Sequence, residues 1–123
     1  MQQPPNILVS LLLGILMSNK KSKKLEEKTA KDFSGGRATI ASGALPFWKQ
    51  DIQSDNFVIE HKYTEAKSYS IKKAYFKEVT EEAFKLGKLP MMIIEFVDRP
   101  ELKLAVLRYS DAVALDKYLS KEI

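Results

Sequence analysis

Between Phe57 and Val97 the hydrophobic period changes twice, and that change restricts the fold more than any other feature of the chain. Phe57–Tyr63 (Phe-Val-Ile-Glu-His-Lys-Tyr) is rich in β-branched and aromatic residues, which suit a pleated strand. Ile71, Tyr75, Val79 and Ala83 then recur at four-residue steps, flanked by Ala74, Phe76 and Phe84, and the pattern stops at Gly87. That is the signature of an amphipathic helix over Ile71–Leu86 with its terminator. From Pro90 to Val97 the run Met-Met-Ile-Ile-Glu-Phe-Val returns to strand character. Strand, helix and strand in succession predict a right-handed parallel crossover, and hence an α/β sandwich.

The remaining elements fit around this unit. Asn19–Phe33 places Leu25, Thr29 and Phe33 four residues apart among lysines and glutamates, which predicts a helix halted by Ser34-Gly35-Gly36. Arg37–Ser42 and Phe47–Gln53 read as strands, and the Ser54-Asp55-Asn56 cluster turns the second of them into a hairpin with Phe57–Tyr63. After Asp98-Arg99-Pro100, Leu102–Tyr109 reads as a strand, and Ser110-Asp111 is expected to cap a last helix ending near Leu119. The expected order is α-β-β-β-α-β-β-α around a central mixed sheet flanked by helices. At 123 residues the chain has room for one core.

Composition narrows the chemistry. There is no cysteine, which excludes disulfides, thiolate catalysis and Cys-ligated zinc and fits a reducing cytoplasm. The one histidine, His61, cannot build a multi-histidine metal site. Lys and Arg number 20 against 16 Asp and Glu, a net charge of +4 that suits an anionic partner without requiring one. The apolar run over residues 7–17 is well short of the ~20 residues needed to span a bilayer, so no stable membrane span is expected. No basic segment precedes it and no Ala-x-Ala-like site follows it, which argues against a cleaved signal peptide. Three readings stay open: a helix covering an apolar surface, a membrane-surface contact, or sequence upstream of the true start. The third takes residues 1–16 as an extension and 17–123 as the working domain, because Met17 opens a charged stretch.

The chemistry-bearing residues gather on the hairpin. Side chains alternate along a strand, so Glu60 and Lys62 are expected on one face and His61 on the other. Asp51 on the preceding strand can come opposite them. Two carboxylates with a strand carbonyl form a hard oxygen site of the kind Mg²⁺ prefers. Taken alone, Glu60-x-Lys62 is an ordinary pair of opposite charges on a strand. The basic run Lys20, Lys21, Lys23, Lys24 and Lys28 is either a phosphate-contacting arm or a solvated helix start.

Taken together, Ser42-Gly43-Ala44, Lys49-Gln50-Asp51-Ile52 and Phe57-Val58-Ile59-Glu60-His61-Lys62-Tyr63-Thr64 resemble the PD-(D/E)XK nuclease superfamily. Within it they are most similar to the short phage-type Holliday junction resolvases. The resemblance covers roughly Lys24 to Val97, with Gln50 standing where the family name has proline. It implies a restriction-endonuclease-like fold and Mg²⁺-dependent cleavage of branched DNA, with Mn²⁺ as a substitute ion. It also implies a homodimer, and action in the cytoplasm of a bacterial, archaeal or phage-infected cell. Asp51, Glu60 and the main-chain carbonyl of His61 would hold the metal, and Lys62 would be the catalytic lysine. Ser42 would lie near the scissile phosphate, and Glu26 or Glu27 would be the helix-1 acid. Glu27 is preferred because Leu25 and Thr29 are expected to face the core on either side of it. Lys20, Lys21, Lys23, Lys24, Ser42, Gly43, Thr64 and Lys67 would contact DNA.

Overall fold

The computed structural model describes residues 21–38 and 52–121. These contain a helix over residues 21–30 (α1), β1 (Arg37–Ala38), β2 (Ile52–Gln53), β3 (Phe57–Thr64), α2 (Lys73–Lys85), β4 (Leu89–Phe96), β5 (Leu102–Val106) and α3 (Tyr109–Lys121). The strands form one sheet in the order β1-β2-β3-β4-β5. β3 and β4 are parallel, from Phe57↔Leu89 to Thr64↔Phe96, and the other three pairings are antiparallel. The expected α/β class and mixed sheet are present, and the segment after β3 returns to the sheet parallel to it through α2.

Local chemistry sets the β2–β3 hairpin. Ser54 Oγ accepts the backbone N–H groups of Asn56 (3.3 Å) and Phe57 (3.0 Å), so one hydroxyl organises the reversal. The turn is anchored to the end of α1, where Ser34 Oγ donates to Asp55 Oδ2 at 2.8 Å and Asp55 N donates to Ser34 O at 2.8 Å. Gly35 has φ +64°, and a Cβ there would collide with the Asp55 carboxylate. Glycine alone meets both demands.

Residue parity divides the sheet into two faces. On one, Ala30 of α1 packs with Ile52, Ile59, Met91 and Ile93, and Phe33 meets Phe57 edge-on at 6.2 Å between ring centroids. On the other, Val79 and Ala83 of α2 pack on Val58, with Phe76 beside them. Ile52 and Ile59 face each other across the ladder and are fully buried; burying each contributes about 2 kcal/mol. β4 lies between two strands with helices on both faces, which explains its unbroken apolar run: Pro90 through Ile94 are all buried.

The helix ends differ from expectation in instructive ways. α2 begins at Lys73 rather than Ile71, and its N-cap residue Lys72 makes no side-chain capping bond. Its C-terminus is built as expected. Gly87 at φ +67° lets Lys88 N reach Ala83 O (2.8 Å) and Gly87 N reach Phe84 O (3.2 Å), a Schellman ending. In α3, Asp111 lies inside the first turn rather than capping it, and it receives two bonds from Arg108, at 2.7 and 2.9 Å. The Arg108 guanidinium also lies 5.0 Å from the Phe84 ring centroid and so ties the start of α3 to the end of α2. β5 ends at Val106, short of the expected Tyr109, because the helix starts there.

Candidate functional site

Glu60 and Lys62 are neighbours on one face of β3. Lys62 Nζ lies 3.0 Å from Glu60 Oε1, with the two side chains 36% and 16% exposed. The face is the one covered by α2, since Val58 two residues earlier packs on Val79 and Ala83, and Lys62 Nζ sits 5.8 Å from the Tyr75 ring centroid. Lys72 Nζ approaches the same ring at 5.6 Å. Two ammonium groups on one aromatic ring, beside a carboxylate with water access, can engage a hard cation and an anion together. The sequence pattern treats Tyr75 as a core position, yet it is 42% exposed.

His61 points to the opposite face and is buried. Its Nε2 lies 3.0 Å from Glu95 Oε1, and the same oxygen lies 3.4 Å from Lys103 Nζ, which donates to Thr29 Oγ1 at 2.8 Å. This chain joins β3, β4, β5 and α1 through polar contacts beneath α1. Glu95 and Lys103 were not singled out from the sequence. The available signal was Glu95 itself, a lone acid in an apolar strand, which needs a partner when it is turned inward.

The helix-1 acid requires a correction. Glu27 is exposed, and the carboxylate that α1 turns toward the sheet is Glu26, 7% exposed, with Ser22 Oγ 3.3 Å from its Oε1. The helical period places residues 26, 29, 30 and 33 inward together, so flanking by Leu25 and Thr29 was the wrong guide. α1 also packs on the His61 face, across the sheet from Glu60 and Lys62, so neither Glu26 nor Glu27 stands beside that pair.

Asp51, Ser42, Gly43 and Lys20 lie outside the described residues. Lys21 pairs with Glu65 at 3.1 Å and lies 5.5 Å from the Tyr63 ring centroid, while Lys23, Lys24 and Lys28 are exposed along α1. Thr64 Oγ1 accepts Ala66 N–H at 3.0 Å, shaping the loop in which Lys67 is exposed. Among the described residues no three His, Asp or Glu side chains form a group able to hold a metal ion, and no helix is long and apolar enough to cross a membrane.

No protein-family model matches the chain, and no curated protein or solved structure matches it either.

Proposed function

We propose that the chain is a metal-dependent endodeoxyribonuclease of the PD-(D/E)XK kind, selective for branched DNA such as four-way junctions. The observation that carries this reading is the Glu60–Lys62 pair, 3.0 Å apart on one water-accessible face of β3. Asp51, Glu60 and the His61 carbonyl are the oxygen donors in this reading, a set that suits Mg²⁺ or Mn²⁺. When bound there, the ion supplies Lewis acidity toward a phosphate oxygen. Lys62 holds its charge where the phosphoryl oxygens become more negative during hydrolysis, and Glu60 keeps that ammonium in place. Neither Glu26 nor Glu27 takes part.

Cutting two strands of a junction calls for two sites, and so for a homodimer. β5 is an edge strand of the sheet, and a second copy can add along that edge. Exposed lysines on α1 add sequence-independent attraction to phosphate. Work on DNA in a reducing compartment fits the cysteine-free composition.

A second reading is a DNA-binding module of the same fold without catalysis, favoured by the exposed lysines of α1, which attract phosphate without cutting it. Cleavage of a synthetic four-way junction, a linear duplex and a single strand in Mg²⁺ separates the readings. The nuclease reading expects the junction to be cut first. Binding without cleavage of any substrate, together with no Mg²⁺ site by calorimetry, selects the second.

A further inference from the structure

The Glu60–Lys62 face continues past the end of β3 into a cavity. The β3–β4 register pairs Lys62 with Ile94 and Thr64 with Phe96, and β4 pairs Phe96 with Leu102 on β5. All of these side chains share parity with Glu60, so Phe96 and Leu102 stand on the face that carries the ion pair. Two residues along a strand and one strand across put Phe96 about 8 Å from Lys62, a span comparable with one nucleotide step of an extended single strand.

Phe96 and Leu102 line a cavity of about 280 Å³ at the carboxyl ends of the two parallel strands, with Lys67, Asp98 and Arg99 also in its wall. Ligands of open α/β sheets enter at such strand ends. The volume is at the small end for ligand pockets, suited to a fragment the size of a base with its sugar rather than a larger molecule. An aromatic surface and an apolar neighbour accept a base by stacking, irrespective of its identity. Arg99 is 91% exposed and its contact to Glu101 is 3.7 Å long, a screened pair that leaves the guanidinium available to a phosphate. Lys67 adds a second cation to the wall, while Asp98 offers an acceptor to a base amino group.

We propose that this cavity is a nucleotide subsite: it receives the unpaired base next to the phosphate engaged by Lys62, with Phe96 as the stacking surface and Lys67 and Arg99 on the adjoining phosphate. The inference rests on the phosphodiester reading of that face and adds what it lacks, a reason for preferring DNA whose bases are unstacked near the branch.

The test measures equilibrium binding of fluorescent single-stranded DNA to the full chain in EDTA, using intact strands and strands with one abasic position scanned along them. Phe96→Leu, which keeps an apolar side chain, and Arg99→Ala, at an exposed loop position, are each expected to weaken binding of intact DNA about tenfold. Wild type is expected to lose a similar factor at one abasic position, where Phe96→Leu loses nothing more. Unchanged binding in both variants, or an equal loss for Phe96→Leu on intact and abasic strands, overturns the subsite. If those variants bind as wild type while junctions are still cut in Mg²⁺, the subsite fails and the nuclease reading stands. If the abasic signature appears and no DNA is cut, the subsite stands and the nuclease reading fails.

Discussion

Glu95→Ala tests whether the polar chain beneath α1 is structural. The substitution removes the acceptor of His61 Nε2, whose side chain is fully buried, and one partner of Lys103. A buried donor left without its acceptor costs about 1–3 kcal/mol. The Lys103 side chain is 35% exposed and keeps its 2.8 Å bond to Thr29, so screening reduces that part of the loss to a few tenths of a kcal/mol. The sum is roughly 2 kcal/mol, a large share of the stability of a single domain. Urea unfolding followed by far-UV circular dichroism reads it as a lower midpoint at unchanged slope. The double variant His61→Leu with Glu95→Leu removes donor and acceptor together and is expected to cost less than the two single changes added. A Glu95→Ala midpoint equal to wild type, or additive losses in the double variant, would refute the claim that this contact is buried and coupled. Because the chain lies across the sheet from Glu60 and Lys62, cleavage below the unfolding transition is expected to persist.

Three further outcomes follow from single residues. Lys72→Asp places a side-chain acceptor at the uncapped start of α2 and replaces a cation at the positive end of the helix, and is expected to raise stability by about 1 kcal/mol in urea. Gly87→Ala meets open space and incurs only the left-handed backbone cost, about 1 kcal/mol, whereas Gly35→Ala adds a collision with Asp55 and is expected to be worse in the same assay. Lys62→Ala is expected to lower junction cleavage by at least ~10²-fold with binding retained in a gel-shift measurement, the order of loss when charge stabilisation disappears from the transition state.

The strand–helix–strand unit was legible because period changes at Phe57, Ile71 and Pro90 are local signals, and β4 betrayed its burial on both faces through its composition. Alternation along β3 likewise put Glu60 and Lys62 on one side and His61 on the other. Contacts between distant segments were not legible. The helical stripe predicted Ile71 and Tyr75 as core, but Ile71 falls before the helix starts at Lys73 and Tyr75, in its first turn, lies beside the polar Lys62 rather than over apolar strand, so both stay exposed. Nothing in Ser110-Asp111 revealed that Arg108, just before the helix, would pair with the aspartate in its first turn. The choice between Glu26 and Glu27 depended on where the stripe of α1 meets the sheet, which residue spacing around Leu25 and Thr29 left open by one position. The cavity at Phe96 depends on three segments meeting, the loop after β3 and the two strands β4 and β5, and no one of them carries a motif for it.

The most direct measurement is cleavage of a radiolabelled four-way junction by the wild-type chain and by Glu60→Gln, each in Mg²⁺ and in EDTA. Wild type is expected to make discrete incisions in Mg²⁺ and none in EDTA, and Glu60→Gln to lose at least ~10²-fold with junction binding preserved. Equal cleavage by Glu60→Gln, or incision that persists in EDTA, would contradict the metal-dependent nuclease reading.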